Sequence, residues 1–426
     1  MEIFLNRGKD SLSKEEILNA LNDSMKNRKL SKVLIIPPDF TRFHSNAGLI
    51  TNFYYHYFIN RGIEVDILPA LGTHDAISEK EASEMFGDIP YGKFIYHDWR
   101  NDVVKIGEIP ASFCKKISEG LWEESVDVEV NKLILDDTYD LIISIGQVVP
   151  HEVAGMANHA KNIFVGCGGK NMINASHMIG ALYGIERVMG KDHTPVRELF
   201  DYAYEKFLKE KNILFVLTVT TNDDEKGIQT HGLFIGESRK GLEEAISLSL
   251  RVNFNVLDKG IKKCVVDLNE KEFKTTWLGN KAVYRTRMAI ADNGELYIIA
   301  PVIKRFGEDL NVDKLIRKYG YIGRDKIIDL LTKNEDLKQS KATAAHLIHG
   351  SSDGRFSIHY AVKNISKEEI ASVGYIPEDC DEIMKKYDFE HIKDGYNYVN
   401  GEEIYYISNP ALGLWINKER IEDGRK

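Results

Sequence analysis

Residues 139–169 read YDLIISIGQVVPHEVAGMANHAKNIFVGCGG. The segment YDLIISIGQVVPH has the nearly continuous apolar run of a strand buried on both faces, and KNIFVGCGG reads as a further strand. Between them lie His151, His159 and Lys161, with His177 shortly after. Outward from this stretch the same alternation continues. SLSKEEILNALNDSMKNR (11–28) opens with a Ser-x-x-Glu capping box and runs at helical period. KVLIIPPDF is a strand ending in a turn, and AGLITNFYYHYFINRG is a helix with a glycine stop. VDILPALGTHD is a strand, ISEKEASEMFG a helix and KFIYHDW a third strand. Strands alternating with helices predict an α/β fold whose first domain is a doubly wound, mostly parallel sheet.

Polar residues follow these strands in order: Asp39 and Arg42, then Thr73 and His74, then His97 and Asp98, then His151. Ligands of open parallel sheets bind outside the carboxyl ends of the strands. Four successive strands supplying ionisable groups to one edge therefore predict a composite active site. Four nearby basic side chains repel if all are charged, which suits a metal site or acid–base chemistry. His44, His56, His193 and His391 read as ordinary structural histidines.

At 426 residues the chain exceeds the usual size of one domain. The pattern changes near residue 255, which predicts domains at 1–261 and 262–402, with 403–426 returning to the first. In the second, GIKKCVVDLNE and ELYIIAPV read as strands. TTWLGNKAVYRTRMAIA reads as a helix stopped at Asn293-Gly294, with further helices in VDKLIRKYG and GRDKIIDLLTKN. Arg285 and Arg287 read as partly solvated, whereas the hydroxyl-bearing loop HGSSDGR suggests polyol binding. Hydrophobic residues make up 43% and charged residues 28%, and the net charge is −9. That composition disfavours nucleic-acid or anionic-membrane partners. The start has no apolar signal-peptide core, and the four dispersed cysteines form no CxxC pair, so a reducing cytoplasm is expected. HExxH, Walker, GxGxxG and GxSxG motifs are absent.

The combination of Asp39-Phe40-Thr41-Arg42, Gly72-Thr73-His74, His97, Pro150-His151, Ala154-Gly155, Lys161 and His177 resembles the nickel-dependent lactate racemase family. The resemblance implies racemisation or epimerisation at C2 of a 2-hydroxy acid, with the active site in the cleft between two domains. It also implies a nickel pincer nucleotide attached covalently at Lys161, a nickel ligand at His177, and proton-transfer bases at His97 and His151. Asp39, Arg42, Thr73 and His74 are then nucleotide or substrate neighbours, Lys281 a substrate-facing lysine, and cofactor-synthesis enzymes are implied partners. The family usually has Gly-Gly where this chain has Asn158-His159. Their bulk is expected to alter the wall around cofactor or substrate, favouring a larger hydroxy acid or sugar acid over lactate. Two other readings stand beside this one. His151, His159 and His177, with Glu152 as base, form a zinc hydrolase site, or the protein binds a nucleotide or sugar acid without catalysis.

Overall fold

A computed structural model describes residues 2–223, 226–268, 272–389, 391–411 and 413–423. The chain forms two compact units, Met1–Ile179 with Val188–Asn253, and Gly180–Arg187 with Phe254–Lys426. Both are α/β with mostly parallel sheets. No helix among the described residues is long and apolar enough to cross a membrane.

The sheet of the first unit runs Ile3–Asn6, Gly227–Gly236, Ile213–Asp223, Leu141–Gln147, Lys32–Ile36, Glu64–Ile67. The last four are mutually parallel, and Gly227–Gly236 is antiparallel to both its neighbours. Leu141–Gln147 is buried at every position, as the apolar run predicts for a central strand. Helix Lys14–Ser24 carries the expected reciprocal cap between Ser13 and Glu16. Helix Ala47–Ile59 buries Tyr54 and Phe58 in the same core as Val33, Ile35 and Ile143.

Two expected strands take other forms. Segment 94–97 makes a single bridge, Phe94 to Ile67, and then leaves the sheet. Asp98 stops it by accepting from Arg100 N–H and Asn101 Nδ2, closing a turn. Residues Asn162–Gly166 are a π-helical turn and not a strand. The run is buried throughout, and periodicity alone does not separate a buried strand from a buried helical turn. The reversal before it comes from Asn158 and His159, which hold φ of 69° and 58°. Consecutive left-handed residues break an extended path.

The second unit has the order Ile376–Glu378, Ser357–Ala361, Ile290–Ile299, Ile261–Asp267, Glu402–Ile407, Gly395–Val399, parallel except at the final hairpin. The expected helix 275–291 is two short ones, Thr276–Gly279 and Lys281–Thr286. Ile290 already starts a strand, and Asn293-Gly294 lies within it, where the pairing register shifts. The tail does not return to the first unit. Glu402–Ile407 pairs with Ile261–Asp267 and Leu414–Asn417 with Phe254–Leu257, so backbone pairing holds it in the second.

Candidate functional site

The turn after Lys32–Ile36 is a 3₁₀ segment, Phe40–Ser45, capped by Asp39. Asp39 Oδ1 accepts from Thr41 N–H at 2.9 Å and Thr41 Oγ1 at 2.5 Å, while Oδ2 bonds His74 Nδ1. Burial alone raises a carboxyl, but the His74 imidazole, Arg42 and Thr41 outweigh it and hold Asp39 well below the usual range. His74 arrives from the turn after Glu64–Ile67, where Gly72, at φ 58°, donates its N–H to Gly166 O at 2.8 Å. Half-buried Thr73 lies between them. Two strand ends thus meet as a pair between buried Asp39 and half-buried His74.

His151 follows the central strand in a two-residue pairing with Gly155, and its side chain is buried. Its Nδ1 accepts from the backbone N–H of Val153 at 3.1 Å and Ala154 at 3.3 Å. An acceptor Nδ1 puts the proton of the neutral ring on Nε2. Glu152 Oε1 lies 3.9 Å from that nitrogen.

Lys161 immediately precedes the π-helical turn. Burial pushes its amine down to about 8, and the charges of Arg42 and Arg197 add to this against Glu152 and Asp39. An amine so depressed has a substantial neutral, nucleophilic fraction near neutral pH. Arg197 was not singled out by the sequence, since nothing about Pro195-Val196-Arg197 marks it as special. It is fully buried and donates to Met156 O at 2.5 Å and Asn158 O at 3.2 Å, bracing the turn that leads to Lys161.

His177 lies on helix Lys170–Tyr183, and its Nδ1 donates to Ile173 O at 2.6 Å. That fixes the tautomer and leaves the Nε2 lone pair for a metal. Burial pushes the imidazole down to about 4, with Lys161 lowering it further and the Ile173 carbonyl and Glu152 opposing. The ring is therefore neutral at pH 7, as ligation requires. The mutual influence of Lys161, Glu152, Arg42, Asp39 and His177 assembles these side chains in one electrostatic neighbourhood.

His97, 5% exposed, is held against the backbone of 167–168. Its Nε2 bonds Gly168 O at 3.0 Å, and its Nδ1 faces Asn131 Nδ2 at 3.0 Å. Burial lowers its pKa, opposed by Gly168 O, Asp102 and Asp98.

His159 does not join the site. Its ring stacks on Phe215 at 3.9 Å, packed beside Tyr204, and is 2% exposed. Burial, then Arg197 and Arg239, keep it neutral. The core of the unit thus absorbs the bulk expected at the site wall. Asn158 packs over Gly146, where an added Cβ would lie 1.7 Å from Asn158 Nδ2. This placement removes the three-histidine zinc cluster, and among the described residues no three His, Cys, Asp or Glu side chains converge as metal ligands.

Lys281 belongs to the second unit, buried, with Nζ 4.0 Å from Glu272 Oε1. Arg285 and Arg287 are buried there rather than solvated. Arg287 donates to His349 O, Ser351 O and Asp353 Oδ2, so the loop expected to bind a polyol is tied to an internal guanidinium.

Residues 8–187 match the family model of the lactate racemase N-terminal domain. A lactate racemase from Thermoanaerobacterium thermosaccharolyticum is 27% identical over 188 residues, 42% of this chain and 38% of that protein, so the match spans well under half of the relative's length. A crystal structure of a protein from Thermotoga maritima superposes with a TM-score of 0.85 at 25% identity, covering 97% of this chain and 100% of that one. The lactate racemase apoprotein from Thermoanaerobacterium thermosaccharolyticum superposes with a TM-score of 0.66 at 18% identity, covering 95% and 93%.

Proposed function

Because the chain is a lactate-racemase-like family member, we propose that it inverts C2 of a 2-hydroxy acid, using a nickel pincer nucleotide held by Lys161 and His177. The observation that carries this reading is the pairing of a depressed lysine amine with a histidine whose tautomer leaves Nε2 bare. The first is what covalent attachment needs, and the second is what a metal ligand needs. Bound there, the group would supply reversible hydride-acceptor chemistry at C2.

The protein's own residues do the rest. Asp39, ionised and backed by Thr41 and His74, presents fixed acceptors to donors of the nucleotide or substrate, as Thr73 does through its hydroxyl. Arg42 supplies a cation for the substrate carboxylate. His97 and His151 handle the hydroxyl proton from two directions, one on each configuration. The proposed substrate is a larger hydroxy acid or sugar acid rather than lactate, a preference that rests on the Asn158-His159 departure in the sequence and not on the placement of the His159 ring.

The test uses protein expressed with the cofactor-making enzymes and nickel, given single-configuration 2-hydroxy acids and aldonates deuterated at C2 in ordinary water. The expected result is the opposite configuration with most of the deuterium still at C2. Complete washout indicates proton abstraction from carbon and overturns the hydride step. Unchanged substrates across the panel favour a binding protein.

A further inference from the structure

We propose that Asn131 is a positioning residue whose amide decides which ring nitrogen of His97 carries the proton, and that it holds that proton on Nε2. Asn131 ends strand Val126–Asn131 and is 1% exposed. Three bonds fix it. Its backbone N–H donates to Cys167 O at 2.8 Å, its Oδ1 accepts from Leu133 N–H at 3.0 Å as the cap of the next turn, and its Nδ2 lies 3.0 Å from His97 Nδ1.

The cap bond settles the orientation of the amide. Only oxygen can accept from Leu133 N–H, so the NH₂ group must face the imidazole. An NH₂ donor requires a lone pair on His97 Nδ1, and the neutral ring then carries its proton on Nε2. The other contact agrees, because Gly168 O accepts only and demands a donor at Nε2. Both anchors belong to one scaffold, since Val130 bridges Gly168 and Asn131 bonds Cys167. The ring is therefore clamped between two points that move together.

The consequence for turnover rests on the preceding reading, although the tautomer itself does not. A substrate oxygen that replaces the Gly168 carbonyl meets a hydrogen-bond donor at Nε2. To accept a proton at Nε2, the ring must first shift the proton it holds there to Nδ1, which requires the Asn131 amide to swing away. His97 thus begins as a donor to the substrate oxygen.

The test is nitrogen NMR of protein labelled at histidine, with His97→Gln identifying the resonances. The wild type should show pyrrole-like Nε2 and pyridine-like Nδ1. Asn131→Asp keeps an oxygen for the Leu133 cap but faces the ring with an acceptor, and Nδ1 should become pyrrole-like. Asn131→Ser can still cap Leu133 but is too short to hold the ring, and the two tautomers should mix. A wild-type spectrum with pyridine-like Nε2 overturns the proposal, even if no variant folds. So does an unchanged His97 pattern in folded Asn131→Asp or Asn131→Ser. The readout needs no bound cofactor, so a failed racemase assay leaves it standing.

Discussion

His97, buried, and His177, partly buried, are imidazoles of the first unit whose surroundings put the proton on opposite nitrogens. At His177 a carbonyl of its own helix, Ile173 O, accepts from Nδ1–H and leaves Nε2 without the proton. At His97 the Asn131 amide donates to Nδ1 and Gly168 O accepts from Nε2–H. The same side chain is thus prepared as a ligand in one place and as a donor in the other. Neighbouring backbone and amide groups make the difference, and formal charge does not, because burial lowers the pKa of both rings.

The largest expected effect separates the two. His177→Ala should remove nearly all nickel from protein loaded with the cofactor, while His97→Ala leaves the metal content unchanged; metal analysis of both variants checks this. Equal loss in both would erase the distinction. Next come rates. His97→Ala and His151→Ala should each lower epimerisation about a hundredfold, the usual scale for removing a positioned acid or base. Near-normal rates in both would detach the two residues from the reaction.

Much of this arrangement was legible in the sequence, because Asp39, His74, His151, Lys161 and His177 all lie in turns or on a helix close after predicted strand ends. The central strand 141–147 was equally plain from its apolar run. The π-helical turn at 162–166 was not, since a fully buried run of Ile, Phe and Val carries no period. The placement of His159 was also hidden. Its left-handed backbone, which turns the ring onto Phe215, is a property of the fold. Asn131 and Arg197 left no local signal, as their roles come from partners 34 residues or more away in sequence. The domain boundary fell at 253–254 instead of 261–262, because the short strand Phe254–Leu257 pairs with the chain's last strand.

The burial that keeps His177 neutral also acts on Lys161. The amine becomes neutral as pH rises through about 8, so its modification by an amine-reactive reagent should rise through the same range. An ordinary lysine would wait until about 10.4. Arg42→Ala should move the midpoint back up toward that range, as removal of a neighbouring cation requires. A peptide-mapped pH profile reads both, and an unchanged midpoint would detach Arg42 from the site.

Smaller effects are expected at Asn158 and His159, three and two residues before the lysine. His159→Gly relieves a left-handed backbone but empties a packed ring site, for a net loss of about 2 kcal/mol. Asn158→Gly should stay within about 1 kcal/mol of the wild type, because asparagine tolerates this conformation well. Denaturant unfolding of the two variants checks the order. The reverse order would mean that His159 is not a core residue.

The most direct measurement is the intact mass of protein expressed with the cofactor-making enzymes and nickel, beside Lys161→Ala prepared the same way. The wild type should carry an added mass that maps to Lys161, and the variant none. A wild type without the added mass, or a variant that retains it, would remove Lys161 as the anchor.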